Sequence, residues 1–292
     1  MRFTEIGQQL RAFRLESGLR ADEIAARLGV SRAALYRYEK GDVIKLDTIN
    51  RMAELLKISP LSLLGIGIEY YHRPIGYFER IRQVEETTDQ ILQIGDPLCY
   101  LVTSDGYDAA LAAAVQEVSD SAGTERASVR VQAEQVLGVL ADRKRAFAQR
   151  RSSIICVLSE ARLVRLLDAG VVTTVPLSDR TRRLCRQAAL TEVLHIAGLM
   201  EAEPMGLQFG LLASADPTGT FAILRARDRV TLAINPFRTD AMLGPPTGVA
   251  MVTAADEAIA AHQRVAEALW REARKGAAAA ARLREIAAAT QV

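Results

Sequence analysis

Cysteine is scarce in this chain of 292 residues. The three present, Cys99, Cys156 and Cys185, make no C-x-x-C spacing, so they are expected to be buried free thiols rather than redox or zinc ligands. His72, His195 and His262 lie far apart and form neither H-x₃₋₅-H nor H-E-x-x-H, and no metal site is expected. No apolar run reaches the ~18 residues of a membrane span, and the N-terminus is amphipathic rather than signal-like. The expected protein is cytoplasmic and makes no membrane contact. The motifs G-x-x-x-x-G-K-[ST], G-x-G-x-x-G and G-x-S-x-G are missing, which removes phosphate-cradling loops and a nucleophile elbow. Gly65-Ile-Gly67 lacks the third glycine, and the H-x-K motif of phosphodiesterases is absent too. The chain is expected to have no catalytic residues and no cofactor.

What is present is ordinary globular composition, 49% hydrophobic and 25% charged, in a length that admits two domains. The net charge of +2 is unevenly placed. Through Arg73 there are twelve Lys and Arg against nine Asp and Glu, so the basic surplus lies at the N-terminal end.

That end reads as five short helices. Thr4 to Glu16 places Ile6, Leu10 and Phe13 at helical spacing, with Thr4 as cap and Gly18 as stop. Ala21 to Leu28 follows, ending at Gly29. Ser31 caps a third helix that runs to Lys40 and closes at Gly41. A fourth spans Leu46 to Leu56, and Pro60 opens a last turn through Leu64.

The segments Ala21-Asp-Glu-Ile-Ala-Ala-Arg-Leu-Gly-Val-Ser, Ala34-Leu-Tyr-Arg-Tyr-Glu-Lys-Gly and Thr48-Ile-Asn-Arg-Met-Ala-Glu-Leu-Leu-Lys-Ile-Ser resemble the XRE, or Cro/CI-type, repressor domain. The resemblance covers residues 4 to 65 and includes Tyr38-Glu39-x-Gly41. It implies a helix-turn-helix whose third helix enters the major groove of double-stranded DNA. The family's base-reading positions fall on Arg32, Ala33, Tyr36 and Arg37. An arginine there suits guanine O6 and N7, and Ala33 suits a thymine methyl. Leu35 and Tyr38 are expected to face the core, and Glu39 to serve packing and local hydrogen bonds. Arg20, Lys40 and Lys45 are the candidates for phosphate contact. The family often has Gln at the first turn of the second helix; here that position is Ala21, preceded by Arg20.

Residues 65–78 then concentrate aromatic side chains, with Tyr70, Tyr71, Tyr77 and Phe78 inside nine positions. They are expected to pack the head against a second domain or a twofold mate, the sharper alternative being an aromatic ligand cage. Arg80 to Ile94 reads as a helix presenting Ile81, Val84, Thr88 and Ile91, a stripe suited to an intersubunit helix pair.

Beyond residue 95, strand and helix patterns alternate. Ser153 to Leu158 reads as a strand and Glu160 to Ala169 as a helix, followed by a long helix from Ser178 or Asp179 to Met200. Strands are expected at Gly206–Leu212, Phe221–Leu224, Val230–Ile234 and Gly248–Val252, the middle two forming a hairpin. Thr253-x-x-Asp256 resembles a capping box before a helix to Lys275, and 277–289 continue as another. Leu101 to Tyr107, Arg143 to Arg151 and Val157 to Leu163 are similar to a domain of uncharacterised role that follows an XRE head in bacterial developmental regulators. That resemblance implies an effector or partner-protein domain.

Some XRE-headed repressors end in a self-cleaving Ser/Lys protease domain. Ser104 and Lys144 would be the only such pair here, and the surrounding motif and Ala-Gly cleavage site are not evident. Arg180, Arg182, Arg183 and Arg186 crowd the start of one helix, where a basic cluster suits an anionic small-molecule effector. Arg225, Arg227 and Arg229 fringe the hairpin.

The expected fold is α+β: an all-α five-helix DNA-binding domain at 1–67, an aromatic junction with a connecting or dimerisation helix at 68–96, and a mixed α/β domain at 97–292. The expected protein is a homodimeric repressor or dual regulator that binds a DNA operator under control of a small-molecule effector. The alternative is an antitoxin-like regulator whose second domain binds a small protein.

Overall fold

In the computed structural model the first five helices stand where the sequence pattern puts them: α1 (Phe3–Ser17), α2 (Ala21–Leu28), α3 (Arg32–Glu39), α4 (Leu46–Leu56) and α5 (Pro60–Leu63). The structure describes residues 3–290 apart from 122, 124–125, 214–215, 241–242 and 244–247. Leu10, Phe13, Ile24, Leu35, Met52 and Leu63 converge as the core of this head. Gly29 ends α2 in the left-handed region, at φ 68°, which needs no Cβ. Ser31 Oγ accepts the N–H of Ala34 at 3.0 Å and starts α3. Where α1 crosses α3, a Cβ on Gly7 would lie 2.4 Å from the Tyr38 carbonyl oxygen, so only glycine permits the approach.

The remainder is built on a seven-stranded mixed sheet. Its strands are β1 (Ile68–Tyr71), β2 (Thr88–Ile94), β3 (Ser153–Ser159), β4 (Leu207–Leu212), β5 (Phe221–Ala226), β6 (Val230–Ile234) and β7 (Ala250–Thr253), in the order β1-β7-β6-β5-β2-β3-β4. β2, β3 and β4 run parallel; the other pairings are antiparallel, including the β5–β6 hairpin. The helices are α6 (Pro74–Glu85), α7 (Asp105–Ser121), α8 (Arg126–Arg150), α9 (Glu160–Ala169), α10 (Asp179–Ala202), α11 (Asp256–Glu272) and α12 (Gly276–Thr290). Strand residues alternate between two cores. Ile91, Ile154, Cys156 and Leu224 face the core that α6–α10 and α12 cover, and Leu92, Val157, Leu212 and Ile223 face α11 through Ala266, Ala273 and Trp270.

Four expectations are corrected here. Thr4 lies inside α1, which already includes Phe3, and is not its cap. The helix read over Arg80–Ile94 ends at Glu85, and Thr88–Ile94 is the central strand β2. Both faces of β2 are covered, so its apolar residues 91, 92 and 94 do not alternate and imitate a helical stripe. Ile81, Thr88 and Ile91 are therefore buried within one chain and cannot form an intersubunit helix pair. At α11, Thr253 is not the N-cap; Ala255 is, and the Thr253 hydroxyl accepts the Ala255 N–H at 3.2 Å. The segment 68–96, expected as an aromatic junction with a connecting or dimerisation helix, supplies two strands and a helix to the sheet layer, and its Tyr71 packs on the head as the junction reading expects.

α1 fuses the head to this layer. Tyr71 stacks on Phe13 with ring centroids 5.4 Å apart. Arg80 is bidentate to Glu69 at 2.8 and 3.0 Å, and Glu69 also accepts from Gln9 and Tyr71, each at 2.7 Å. All four side chains are buried. Arg11 reaches Glu79 at 2.8 Å, and the Glu16 carboxylate accepts the backbone N–H groups of His72 and Arg73 at the start of α6. A Cβ on Gly76 would press on the Cα and Cβ of Glu16.

Candidate nucleic-acid interface

The residues singled out on α3 fall on its outer face. Arg32, Ala33 and Arg37 are exposed and Tyr36 is half-buried, while Ala34 and Leu35 point inward. Arg32 donates to the Tyr36 hydroxyl at 3.1 Å and its guanidinium lies 5.4 Å from the ring centroid. That contact extends the arginine along the helix surface. Arg37 makes a loose pair with Asp42 at 3.3 Å, both ends in solvent, an interaction worth little against a competing ligand. Glu39 is buried and bidentate with Arg14 of α1, which fixes the rotation of α3 about its axis. Tyr38 packs against the head core. These three thus serve packing, as their family positions imply.

The phosphate candidates surround that face. Lys40 follows α3, and Lys45 is the N-cap of α4; both are exposed, and their side chains have no hydrogen bond or ion pair among the described residues. Lys45 places a cation at a helix N-terminus, where the dipole disfavours it and an arriving anion satisfies both. Arg20 precedes α2, paired to Asp22 at 2.9 Å on the surface, and Ala21 is buried. Arg20 is therefore the side chain able to replace the missing glutamine contact. Sequence reasoning overlooked Val43 and Leu46, 70% and 67% exposed on either side of Lys45. The available signal was the apolar run Val43-Ile44 and Leu46 around Lys45, of which one residue, Ile44, is enough to reach the core.

The body's basic clusters are different. Arg182 pairs with Asp179 at 3.0 Å and bonds the Leu177 carbonyl. Arg180, Arg183 and Arg186 are exposed and line neither of the two spaces described below. The α10 N-terminus already holds a carboxylate. Glu117 accepts from the Ser178 backbone and from the hydroxyls of Ser178 and Thr181, bonds that hold its carboxyl below the ordinary range. The dipole argument for an anion there is answered by the chain itself. Arg225 donates to Gln263. Ser104 and Lys144 are neighbours, but Lys144 bonds the Ser104 carbonyl at 3.2 Å and pairs with Asp108, while the Ser104 hydroxyl donates to Glu192. All three cysteines are buried free thiols, and a hydrogen bond with Cys99, together with burial, raises the Cys156 thiol pKa.

Inside the body, the helix α6 has two working faces. Gly76, Glu79 and Arg80 meet the head, whereas Tyr77, Phe78, Ile81 and Glu85 line a cavity of about 90 Å³ above β2 and β5. This cavity adjoins an open cleft of about 700 Å³ at the carboxyl end of β2, the two sharing Asp96, Pro97, Asn235, Phe237 and Arg238. Open α/β sheets bind ligands at that end.

No helix among the described residues is long and apolar enough to cross a membrane, and no group of three metal-ligating side chains occurs among them. Comparison with curated proteins and with solved structures gives no match. A protein-family profile described as a helix-turn-helix domain matches residues 5–63, the stretch from α1 to α5. The chain carries a helix-turn-helix domain.

Proposed function

We propose that this protein is a sequence-specific DNA-binding transcription regulator of the XRE type, acting in the cytoplasm as a homodimer whose sheet domain responds to a small molecule. The observation that carries the proposal is α3, with Arg32, Ala33, Tyr36 and Arg37 outward and Leu35 and Glu39 locked inward. A helix so presented fits the major groove, about 12 Å wide, and its N-terminal half meets base edges. Lys40, Lys45 and Arg20 flank it as phosphate contacts, which set affinity and orientation without specifying sequence.

A single eight-residue reading helix contacts few bases. Two heads on half-sites ~34 Å apart supply the discrimination a regulator needs. Support for effector control comes from α6, which touches the head on one face and a cavity on the other. A ligand alters DNA binding only if it favours one of two arrangements, and α6 is the element both sites would bias. The proposal assigns the protein no catalytic step.

The test is chromatin footprinting of the native protein, followed by binding of purified protein to the recovered segments. Recovery of one shared sequence, bound with a steep loss of affinity as salt rises, is the expected result. Uniform binding to unrelated duplexes would remove the regulator reading.

A further inference from the structure

The inner cavity and its outer cleft differ from the rest of the body in how their polar groups are satisfied. Arg143 enters the inner wall between the Phe78 and Tyr100 rings, and its charge is answered by Glu85, bidentate at 2.9 and 2.8 Å. Arg238 is answered by Asp240 at 3.2 Å. Arg162 at the cleft spends its donors on Asp216 and the Gly95 and Pro217 carbonyls. Every arginine on these walls but Arg165 thus has a carboxylate nearly to itself or is fully bonded, and Arg165 shares Asp216.

Among the acids of these walls Asp168 is exposed and has no ion pair among the described residues, and Asp96 is the one set further in that also lacks one. It lies where the two spaces meet, and its one hydrogen bond among the described residues comes from the Gln93 amide, to Oδ2 at 2.7 Å. Oδ1 accepts nothing. Tyr77 is the second such group. Its side chain lines the inner cavity, is only 4% exposed, and its hydroxyl has no hydrogen-bond partner among the described residues. Tyr77 is buried and Asp96 half-buried, and both line the cavity without being sealed from it, so an unfilled hydroxyl and an unfilled carboxylate oxygen on one aromatic-walled cavity offer a place to a donor from outside the chain.

We infer that this cavity binds a small primary amine in its protonated form, the ammonium donating to Asp96 Oδ1 and the Tyr77 hydroxyl and the carbon chain lying among Tyr77, Phe78, Tyr100 and Phe237. Charge favours a cation: Asp96 takes no direct ion pair, Arg162, Arg143 and Arg238 acting on it only at longer range, and each of those arginines has a carboxylate of its own in Asp216, Glu85 and Asp240. Aromatic faces also favour an alkylammonium over a neutral head. Volume limits the inner part. A cavity of ~150 Å³ takes benzene, so 90 Å³ accepts a slender chain of about four heavy atoms, and the cleft takes any larger remainder. The amide of Asn235, whose oxygen is used by the Phe237 N–H at 2.9 Å, leaves a donor in both spaces for an acceptor elsewhere on the ligand.

This deepens the effector reading above and rests on it only for the consequence, not for the binding itself. The test uses the full chain without DNA and three probes of equal length: n-butylammonium, 1-butanol and butyrate. Calorimetric titration and thermal melting should show saturable binding of n-butylammonium at millimolar concentration, weaker binding of 1-butanol, and none of butyrate. Asp96→Asn should weaken n-butylammonium by at least about tenfold, since a charge-assisted bond is lost, while leaving 1-butanol within about twofold. Tyr77→Phe, which keeps the ring, should weaken the amine by roughly two- to fivefold. Butyrate binding as well as the amine, equal amine affinity in Asp96→Asn, or no binding of n-butylammonium to the folded chain would each overturn the assignment. Operator affinity is then measured with the amine present. If the amine binds but DNA affinity does not move, the site stands and effector control falls; if another ligand shifts DNA affinity while the amine does not bind, the reverse holds.

Discussion

The outer face of α3 and the buried layers of the sheet body keep their cations in different company. On α3 and around it, Arg32, Arg37, Lys40 and Lys45 stand in solvent, without a buried partner. In the body, Arg80 and Arg143 are held bidentate by Glu69 and Glu85, with both members of each pair nearly out of water. A buried arginine without its carboxylate would be very costly, so those pairs are structural conditions of the fold. An exposed cation kept free costs nothing in folding and remains available to a phosphate or a guanine. The contrast separates the residues that hold the molecule together from those proposed to face DNA.

The largest effect expected from breaking this contrast is at the joint. Arg80→Met leaves Glu69 buried without its cation and should destabilise the chain by about 3–5 kcal/mol in urea unfolding. Pairing it with Glu69→Gln should recover most of that loss. If the double variant is as unstable as the single, packing and not charge governs the joint. Next in size are two glycines. Gly7→Ala inside the head meets a backbone oxygen, and Gly76→Ala at the joint meets Glu16; each should cost about 1–3 kcal/mol by thermal or urea melting. Similar losses would mean that the joint is packed as tightly as the head itself.

The exposed cations should behave in the opposite way. Arg32→Ala or Arg37→Ala should leave stability within about 0.5 kcal/mol and weaken binding to a cognate duplex by about 1–3 kcal/mol. Lys45→Ala should weaken all duplexes alike and lower the salt slope by about one.

The smallest effect concerns Asp96. Burial, opposed by the Gln93 hydrogen bond and the charges of Arg162, Arg143 and Arg238, pushes its pKa up to about 6 from an ordinary 3.8. The folded state then binds more protons than the unfolded state between these values, so stability falls as pH rises through that window. Asp96→Asn should flatten that slope and stabilise the chain at neutral pH by about 1 kcal/mol, because part of the carboxylate stays solvated. A steeper slope in the variant would contradict the assignment of the charge.

The head was legible from sequence almost to the residue, because its capping residues, glycine stops and apolar spacing all act within a few positions. Ser31, Gly29 and Pro60 mark boundaries by local chemistry alone. The body was legible only where a strand has a polar neighbour or a helix a cap, as at Ser153–Ser159 and Glu160–Ala169. β2 was misread because burial on both faces erases alternation. The Asp96 site was invisible, since it joins a turn after β2, a helix start at Tyr77 and a loop after β6. The Arg180–Arg186 cluster drew attention instead, because the neutralising Glu117 lies more than sixty residues upstream.

The helix-turn-helix head is a fixed part of the sheet body, joined through Glu69, Arg80 and α6. Peptide-resolved hydrogen exchange of the full chain under native conditions tests it most directly. If the claim holds, amides of α1 and α3 open with the same free energy as those of β2 and β3, and Arg80→Met lowers both together. A head whose amides exchange through a separate, much easier opening, unchanged by Arg80→Met, would contradict it.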